Sequence, residues 1–404
     1  MTELYVHLTA SDVPLVGHVA RHHVTDTPEV RPRVVIDAPV AAADTRVATA
    51  AHHHGVTVLV DPQTHYLQGR QHPADPWAQL PYATEQELGA EQLLTSPDLA
   101  RIVGSAIDLQ ITAGATAVIA PYVHIEAPDD GWVQTQLRLW DLTRDHLRRH
   151  DLRQPVLALV GLSWRLLDRP SWPGAVRPLQ TGLRELAPQR IALAAGRVDQ
   201  GTTVPQRLAA LVHLIAQLRP VAPLIAWQQG QLGLATVAAG ALGYQTGLGW
   251  RERCDLRRTR NDHRYPRKGP RGGRPVYLAA LGRSVPPGQV NAMLTDATLR
   301  PQLICPDPEC CPSGWPTRQT DHLAHTVSTR ARQLATLTQI GPPQWRWGYV
   351  ADQAAAAQQF AATVNRRRGR HLDLSHVDPT VAAALQLLAA QRRTATAPRR
   401  RRAA

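Results

Sequence analysis

A chain of 404 residues has room for one large domain with additions, or for two domains. Its hydrophobic share of 43% supplies a core, built on Leu, Val, Ala and ten Trp because only one Phe is present. Lys and Arg exceed Asp and Glu by 13, which favours polyanionic partners, nucleic acid foremost, and four Cys in a chain of this size argue against a disulfide framework.

Part of that charge has a blander source in an Arg-rich, Lys-poor, Ala-rich composition and in the tail Arg399–Arg402. The N-terminal MTELYVHLTASDVP has no basic region followed by an apolar core, so no signal peptide is expected. No apolar run approaches the ~20 residues of a membrane span. The expectation is a soluble, cytoplasmic protein with no membrane partner.

In chain order, Leu4–Leu8 is a short strand candidate, followed by a polar segment. Arg33–Asp37 (RVVID) is a buried strand ending in a carboxylate. Ala41–His54 has a helical pattern with Gly55 as its C-cap. Val56–Asp61 (VTVLVD) is the next strand, again ending in a carboxylate and followed by Pro62, Gln63, Thr64 and His65. Gly69–Pro81 is a polar loop, and Thr84–Ala113 is helical with a break near Ser96–Asp98. Thr116–Ile125 is a strand running into His124 and Glu126.

Trp132–Leu152 predicts an amphipathic helix, with Leu137, Trp140 and Leu147 on its apolar face. Pro155–Ser163 and Arg190–Ala195 are strands, and Pro178–Leu186 and Pro205–Leu218 are helices. Leu224–Trp227, Leu232–Ala241 and Gly243–Leu248 read as strand, helix, strand. The polar cluster Trp250–Asp255 follows. Pro275–Leu281 supplies one more strand.

Strands alternating with helix-length connections begin near Val34, Val56, Thr116, Val156, Ile191, Leu224, Tyr244 and Val276. Each is short and apolar, as strands buried on both faces are. Eight βα units over about 250 residues is the arithmetic of an α/β TIM (β/α)8 barrel. An open doubly wound sheet is the alternative, but the Gly-rich first turn of that fold is missing. The boundaries expected are an N-terminal extension at 1–30, the barrel at 31–300, a Cys/His segment and helices at 301–370, and a C-terminal helix and basic tail at 371–404.

In such a barrel the strand ends gather at one mouth. They bring Asp37, Asp61 with Gln63 and His65, Tyr122 with His124 and Glu126, Trp164 with Arg165, Arg197 with Asp199, Gln228 with Gln229, Arg251 with Glu252, and Arg283. Carboxylates on adjacent strands suit acid–base or nucleophilic work. Asp37, followed by Ala-Pro, reads better as a cap or turn residue, whereas both readings stay open for Asp61. His65, His124 and Glu126 read as hydrogen-bonded rim groups rather than metal ligands.

Cys305-x4-Cys310-Cys311, with His322 and His325 downstream, has the donor types of a tetrahedral zinc site. The alternative is ordinary thiols in a Pro-rich turn. If zinc is held, Cys305, Cys310, Cys311 and His325 are the ligands, with Cys254 as a further thiol if the rim folds against this segment. Residues 257–268 (RRTRNDHRYPRK) form a basic loop with His263 and Tyr265 placed to stack on a base.

These parts, in this order, resemble the tRNA-guanine transglycosylase superfamily, which includes tRNA- and DNA-modifying deazaguanine transferases. Four stretches carry the resemblance: VLVDPQTH at 58–65, with Asp61 at the aspartate of the family's Asp-Ser-Gly-Gly-Phe signature; IALAAGRVDQ at 191–200; residues 224–247, like the strand–helix–strand ending in Phe-Asp-Cys; and Cys305–His325, where the family's zinc ligands lie. The departures are specific. Pro62, Gln63 and Thr64 replace Ser-Gly-Gly, Thr246 stands at the nucleophilic aspartate, and Cys-x-Cys-x2-Cys has become Cys-x4-Cys-Cys.

The resemblance implies a nucleobase in tRNA or DNA as substrate and, if the chain is an enzyme, pentosyl transfer. Asp61 with Glu252 or Asp255 would supply the carboxylates. Gln63, His65, His124, Arg197, Gln228, Gln229, Arg251 and Arg253 would line the substrate. Arg257, Arg258, Arg260, Arg264, Arg267 and Lys268 would meet the nucleic acid. A barrel enzyme acting on a small molecule is the alternative, as is a non-catalytic partner subunit. Homodimeric and heterodimeric assemblies are both left open.

Overall fold

The computed structural model describes residues 1–21, 27–69, 72–264, 273–314, 319–367, 374 and 379–396. Arg267, Lys268, Tyr265 and the tail Arg399–Arg402 lie outside them, as do the side chains of His263 and Arg264.

The sheet is a nearly closed parallel barrel. Strand β1 (Thr2–Leu8) pairs with β2 (Val30–Asp37), and β2 pairs with β3 (Thr57–Asp61) in a register that sets Asp37 beside Asp61. On the other side, β4 (Val118–Ala120) and its continuation β5 (His124–Ile125) both pair with β6 (Val156–Leu162). Then follow β7 (Arg190–Ala195), β8 (Leu224–Ala226) and β9 (Gly243–Thr246), which returns to β1. The seam between β3 and β4 is held by the parallel bridge Leu59–Ala117 and by the Thr116 N–H donating to the Val58 carbonyl at 2.9 Å.

The strands carry Val, Leu, Ile and Ala without alternation because both faces are buried. Tyr5, Val35, Leu59, Ile119, Leu157 and Ile225 point inward and fill the barrel. The opposite faces of the strands meet the surrounding helices in a larger core. Below the inward layer, Glu3 accepts from Arg33 (2.5 Å), Arg190 (2.8 Å) and the Tyr5 hydroxyl (2.8 Å), so its buried charge is paired at the amino end of the barrel.

The barrel is therefore offset from the expected boundaries. It starts at Thr2, so residues 1–30 are not an extension, and its last strand ends at Thr246. Val276–Leu278 (β10) lies outside it, in an antiparallel pair with β11 (Arg283–Val285). The reason is the connection. Only Ala279–Leu281 and Gly282, at φ 61°, separate β10 from β11, which is enough for a hairpin but far short of a parallel crossover.

The described residues between 273 and 396 pack on the outside of the barrel. Leu323, Val327 and Leu334 of helix Gln319–Gln339 and Leu385 and Leu388 of helix Pro379–Thr396 join the barrel's outer core. The hairpin makes a smaller core with Val290, Met293, Leu303, Phe360 and Val364. Among the described residues, no helix is long and apolar enough to cross a membrane.

Candidate active site at the carboxyl end of the barrel

Register brings the carboxylates together. Asp37 and Asp61 end neighbouring strands at paired positions, and both are buried. Asp37 Oδ1 lies 3.0 Å from His7 Nε2, accepts from Gln63 Nε2 at 2.9 Å, and accepts from Arg251 Nη1 at 2.6 Å. Asp61 Oδ1 accepts from the Tyr122 hydroxyl (3.0 Å) and from the Gln63 backbone N–H (3.0 Å). His65 stacks on Tyr122 at a centroid distance of 5.2 Å and lies 3.3 Å from the Thr259 hydroxyl.

The two carboxyls are pushed apart. Burial and then the Asp37 charge raise Asp61 up to about 6 from an ordinary 3.8. Burial opposes ionisation of Asp37 as well, but the Arg251 guanidinium and His7 outweigh it and hold Asp37 well below the usual carboxylate range. One group keeps its charge, while its neighbour loads and unloads a proton near neutral pH. Such a split is how paired titratable groups divide acid and base roles.

The backbone around the mouth is constrained. Gln63, Arg197 and Gln228, each two residues past a strand, have φ of 51°, 51° and 54°, and Arg251 has 57°. Non-glycine residues in the left-handed region store strain and concentrate at functional sites. The segment after β9 folds back over the barrel. Cys254 and Leu256 pack with Tyr122 and Trp227 in the interior cluster, and burial pushes the Cys254 thiol up. Leu256 seats over Gly161, where an added Cβ would lie 2.9 Å from its Cδ1.

Several expected site residues lie elsewhere. Glu252 does not face Asp61. It is buried in an ion pair with Arg330 of helix Gln319–Gln339, at 2.7 Å, and that guanidinium also covers the Tyr277 ring at 4.2 Å. Asp255 caps helix Leu256–Arg264 through the Arg258 N–H (3.0 Å) and lies 3.8 Å from Arg197. Arg253 pairs with Asp199 at 2.9 Å and donates to Gln231 at 2.7 Å. Gln229 donates to the Ala195 carbonyl at 2.6 Å, and the Gln228 N–H donates to Gln245 Oε1 at 3.1 Å.

Two arginines of the basic segment are also committed internally. Arg257 and Arg260 reach Glu126 at 2.9 and 3.0 Å, with Arg165 at 3.7 Å. Beneath them His124 is lowered to about 3 by burial and by Arg260 and Arg257, so it is neutral. The sequence reading overlooked His7 and set Asp37 aside as a cap. A signal was present: Asp37 ends a strand whose neighbour also ends in an aspartate, and His7 is a polar residue next to the end of an apolar strand.

Because Glu252 and Arg330 are both buried, removing one strands the other. Glu252→Leu should destabilise the fold by about 3–5 kcal/mol in denaturant unfolding, and the double change with Arg330→Met should recover most of that loss.

The second cluster is the metal-ligating one. The donor atoms of Cys305, Cys310, Cys311 and His325 all lie within 4.8 Å of one another. His325 Nδ1 is 3.4 Å from both Cys310 Sγ and Cys311 Sγ, and the latter two are 3.7 Å apart. A tetrahedral ion with metal–sulfur bonds of about 2.3 Å needs edges of roughly 3.5–3.8 Å, close to these three separations, and Cys305 completes the set within 4.8 Å. The adjacent cysteines converge because the chain turns sharply, with the Cys311 N–H on Asp307 O (2.9 Å) and the Cys305 N–H on Gly314 O (2.8 Å). His325 Nε2 lies 3.5 Å from the Thr329 hydroxyl, leaving Nδ1 for the ion. Cys254 is not part of this cage, since it faces the barrel interior.

The fold and its carboxyl-end cluster define a (β/α)8 barrel with a buried, asymmetrically charged carboxylate pair. No protein-family model and no curated protein matches the chain. Among solved structures, it is similar to an old yellow enzyme homologue from Zymomonas mobilis (13% identity, 66% of this chain and 90% of that one, TM-score 0.36). It is also similar to dihydrodipicolinate synthase from Oceanobacillus iheyensis (11%, 97% and 96%, TM-score 0.31). A third is the carboxyl transferase domain of Rhizobium etli pyruvate carboxylase (12%, 96% and 61%, TM-score 0.38). None of these three is a tRNA-guanine transglycosylase, and likeness at this level carries no information on activity.

Proposed function

We propose that the chain is a divergent transglycosylase-like enzyme that cleaves or exchanges the glycosidic bond of a nucleobase in tRNA or DNA, with Asp61 carrying the proton. The observation behind this is the Asp37–Asp61 pair, one carboxylate held ionised and the other poised near neutrality. A departing base nitrogen needs a proton, and a sugar carbon gathering positive charge needs a fixed anion. The order of parts adds support, with the Cys3His cage following the barrel as in that superfamily. In this reading the ion is zinc, held by Cys305, Cys310, Cys311 and His325, and its work is structural, because all four positions are filled by protein donors.

Incubation with labelled guanine or a 7-deazaguanine base, and with bulk tRNA or genomic DNA, tests the reading. Label should enter one of the two polymers, or base should be released from it, and the absence of both overturns the reading. Binding of that polymer should be salt-sensitive, falling about 10³-fold between 50 and 200 mM salt if some six phosphates are contacted. Salt-independent binding would count against a nucleic-acid substrate.

One observation favours a small-molecule substrate instead. Asp37 and Asp61 are buried, Arg251 bonds Asp37, and Cys254 and Leu256 pack with Tyr122 in the barrel interior, so a base carried on a polymer reaches Asp61 only if residues 247–256 move. Under that reading neither polymer takes up label, and the pH dependence set by Asp61 remains.

A further inference from the structure

We infer that a second binding site lies on the flank of the barrel, between the loop after β8 and the helices that follow the hairpin, and that it takes an uncharged, single-ring heterocyclic amide. The site is a cavity of about 120 Å³, and neither Asp37 nor Asp61 lines it. It is a different place from the carboxylate pair, and its ligand is independent of base exchange.

One wall of the cavity is polar, with Arg330, Asp199 and Gln333. Arg330 is 2% exposed. Its Nη1 donates to the Gly230 carbonyl at 2.5 Å and its Nη2 to Glu252 at 2.7 Å, but its buried Nε–H donates to nothing. Asp199 Oδ2 is ion-paired with Arg253 Nε at 2.9 Å, yet it accepts no hydrogen bond. Gln333 accepts the Tyr277 hydroxyl on Oε1 at 2.8 Å, and its NH2 has no partner among the described residues. Buried polar groups left unpaired are costly, and a bound group that pairs them recovers that cost. The opposite wall is apolar. It is made by Val350, Ala354 and Ala357 of helix Pro343–Arg367 and by Leu385 of helix Pro379–Thr396, and the two alanines leave the room.

These walls select the ligand. Arg330 is already paired with Glu252 and Asp199 with Arg253, and Arg283 at the edge is engaged as well, so a charged ligand would enter without a counter-ion. The bonds still to be made are donors from Arg330 and Gln333 and an acceptor on Asp199, which match a ring carrying C=O beside N–H. A void of roughly 150 Å³ takes a benzene ring. One ring, with its outer edge at the mouth beside exposed Gln353, is therefore the size that fits.

The test titrates the full chain calorimetrically with 2-pyridone, benzene and benzoate, which share one ring size and differ in polar edge and charge. 2-Pyridone should bind one per chain, at least tenfold tighter than either of the others, and should raise the melting temperature as it saturates. Ala357→Leu fills the apolar wall and should weaken 2-pyridone at least tenfold, and Gln333→Leu should narrow its advantage over benzene. Undiminished binding to Ala357→Leu, or benzene or benzoate bound as tightly as 2-pyridone, would overturn the assignment. So would no binding at all, which would leave a cavity that holds water only. If Ala357→Leu melts well below the parent, Ala354→Leu on the same wall takes its place. No outcome here bears on base exchange, which is read by label transfer or base release.

Discussion

Asp61→Asn should make the protein more stable at pH 8 and slow its turnover by orders of magnitude at every pH. Folding raises the Asp61 carboxyl from 3.8 to about 6, so the folded state holds a proton that the unfolded chain has lost across that window. Stability contributed at this site therefore falls as pH rises from about 4 to 6, and above 6 a buried charge persists at a cost of about 3 kcal/mol. Asparagine keeps the shape and carries no charge. In denaturant melts the variant should gain about 3 kcal/mol over the parent at pH 8, and about half of that at pH 5. Turnover should fall by about 10²–10⁴, the range for a lost general acid or base, and the parent's rate profile should bend near pH 6. A variant no more stable than the parent at pH 8 would mean that folding does not raise the Asp61 carboxyl, and the proton-carrier role would fall.

Loss of the metal should have the second large effect. The four donors tie the loop 305–311 to helix Gln319–Gln339, and that helix holds the barrel through buried Leu323, Val327 and Leu334, the Arg330–Glu252 pair, and His18 on the Ser328 hydroxyl at 2.9 Å. An ion that binds only the folded chain stabilises it by about 4 kcal/mol at a thousand times its dissociation constant. Purified protein should carry one ion per chain, and chelation should lower the melting temperature by several degrees. Cys310→Ser should reproduce that loss and no longer respond to the chelator. Stoichiometric metal retained by a variant lacking both Cys310 and Cys311 would place the ion elsewhere.

The carboxylate pair explains why the catalytic reading was only half legible. Val58–Asp61 stands out because a run of buried apolar residues ends abruptly in a charge. Arg33–Asp37 has the same form, yet Ala-Pro after it gave Asp37 an adequate local role as a cap. What separates the two roles is the register of β2 on β3, which no single segment encodes. Glu252 failed in the opposite way. It stands beside Arg251 in a polar cluster, but the turn through Gly247 and Gly249 sends the two side chains to different partners, Arg251 to Asp37 and Glu252 to Arg330, 78 residues further along the chain.

The sequence by itself determined the alternation of buried strands and helices, the barrel that follows from it, the strand-end polar groups, and the donor types of the metal cage. Those features are set by local periodicity and residue chemistry. Only the tertiary structure decided that β1 opens the barrel and β10 leaves it, that His7 and Arg251 meet on Asp37, and that Arg257 and Arg260 are taken up by Glu126. Each of those depends on which distant elements become neighbours when the ring closes, and it is that proximity, through burial and charge, that holds one buried aspartate as an anion and raises the carboxyl of the next.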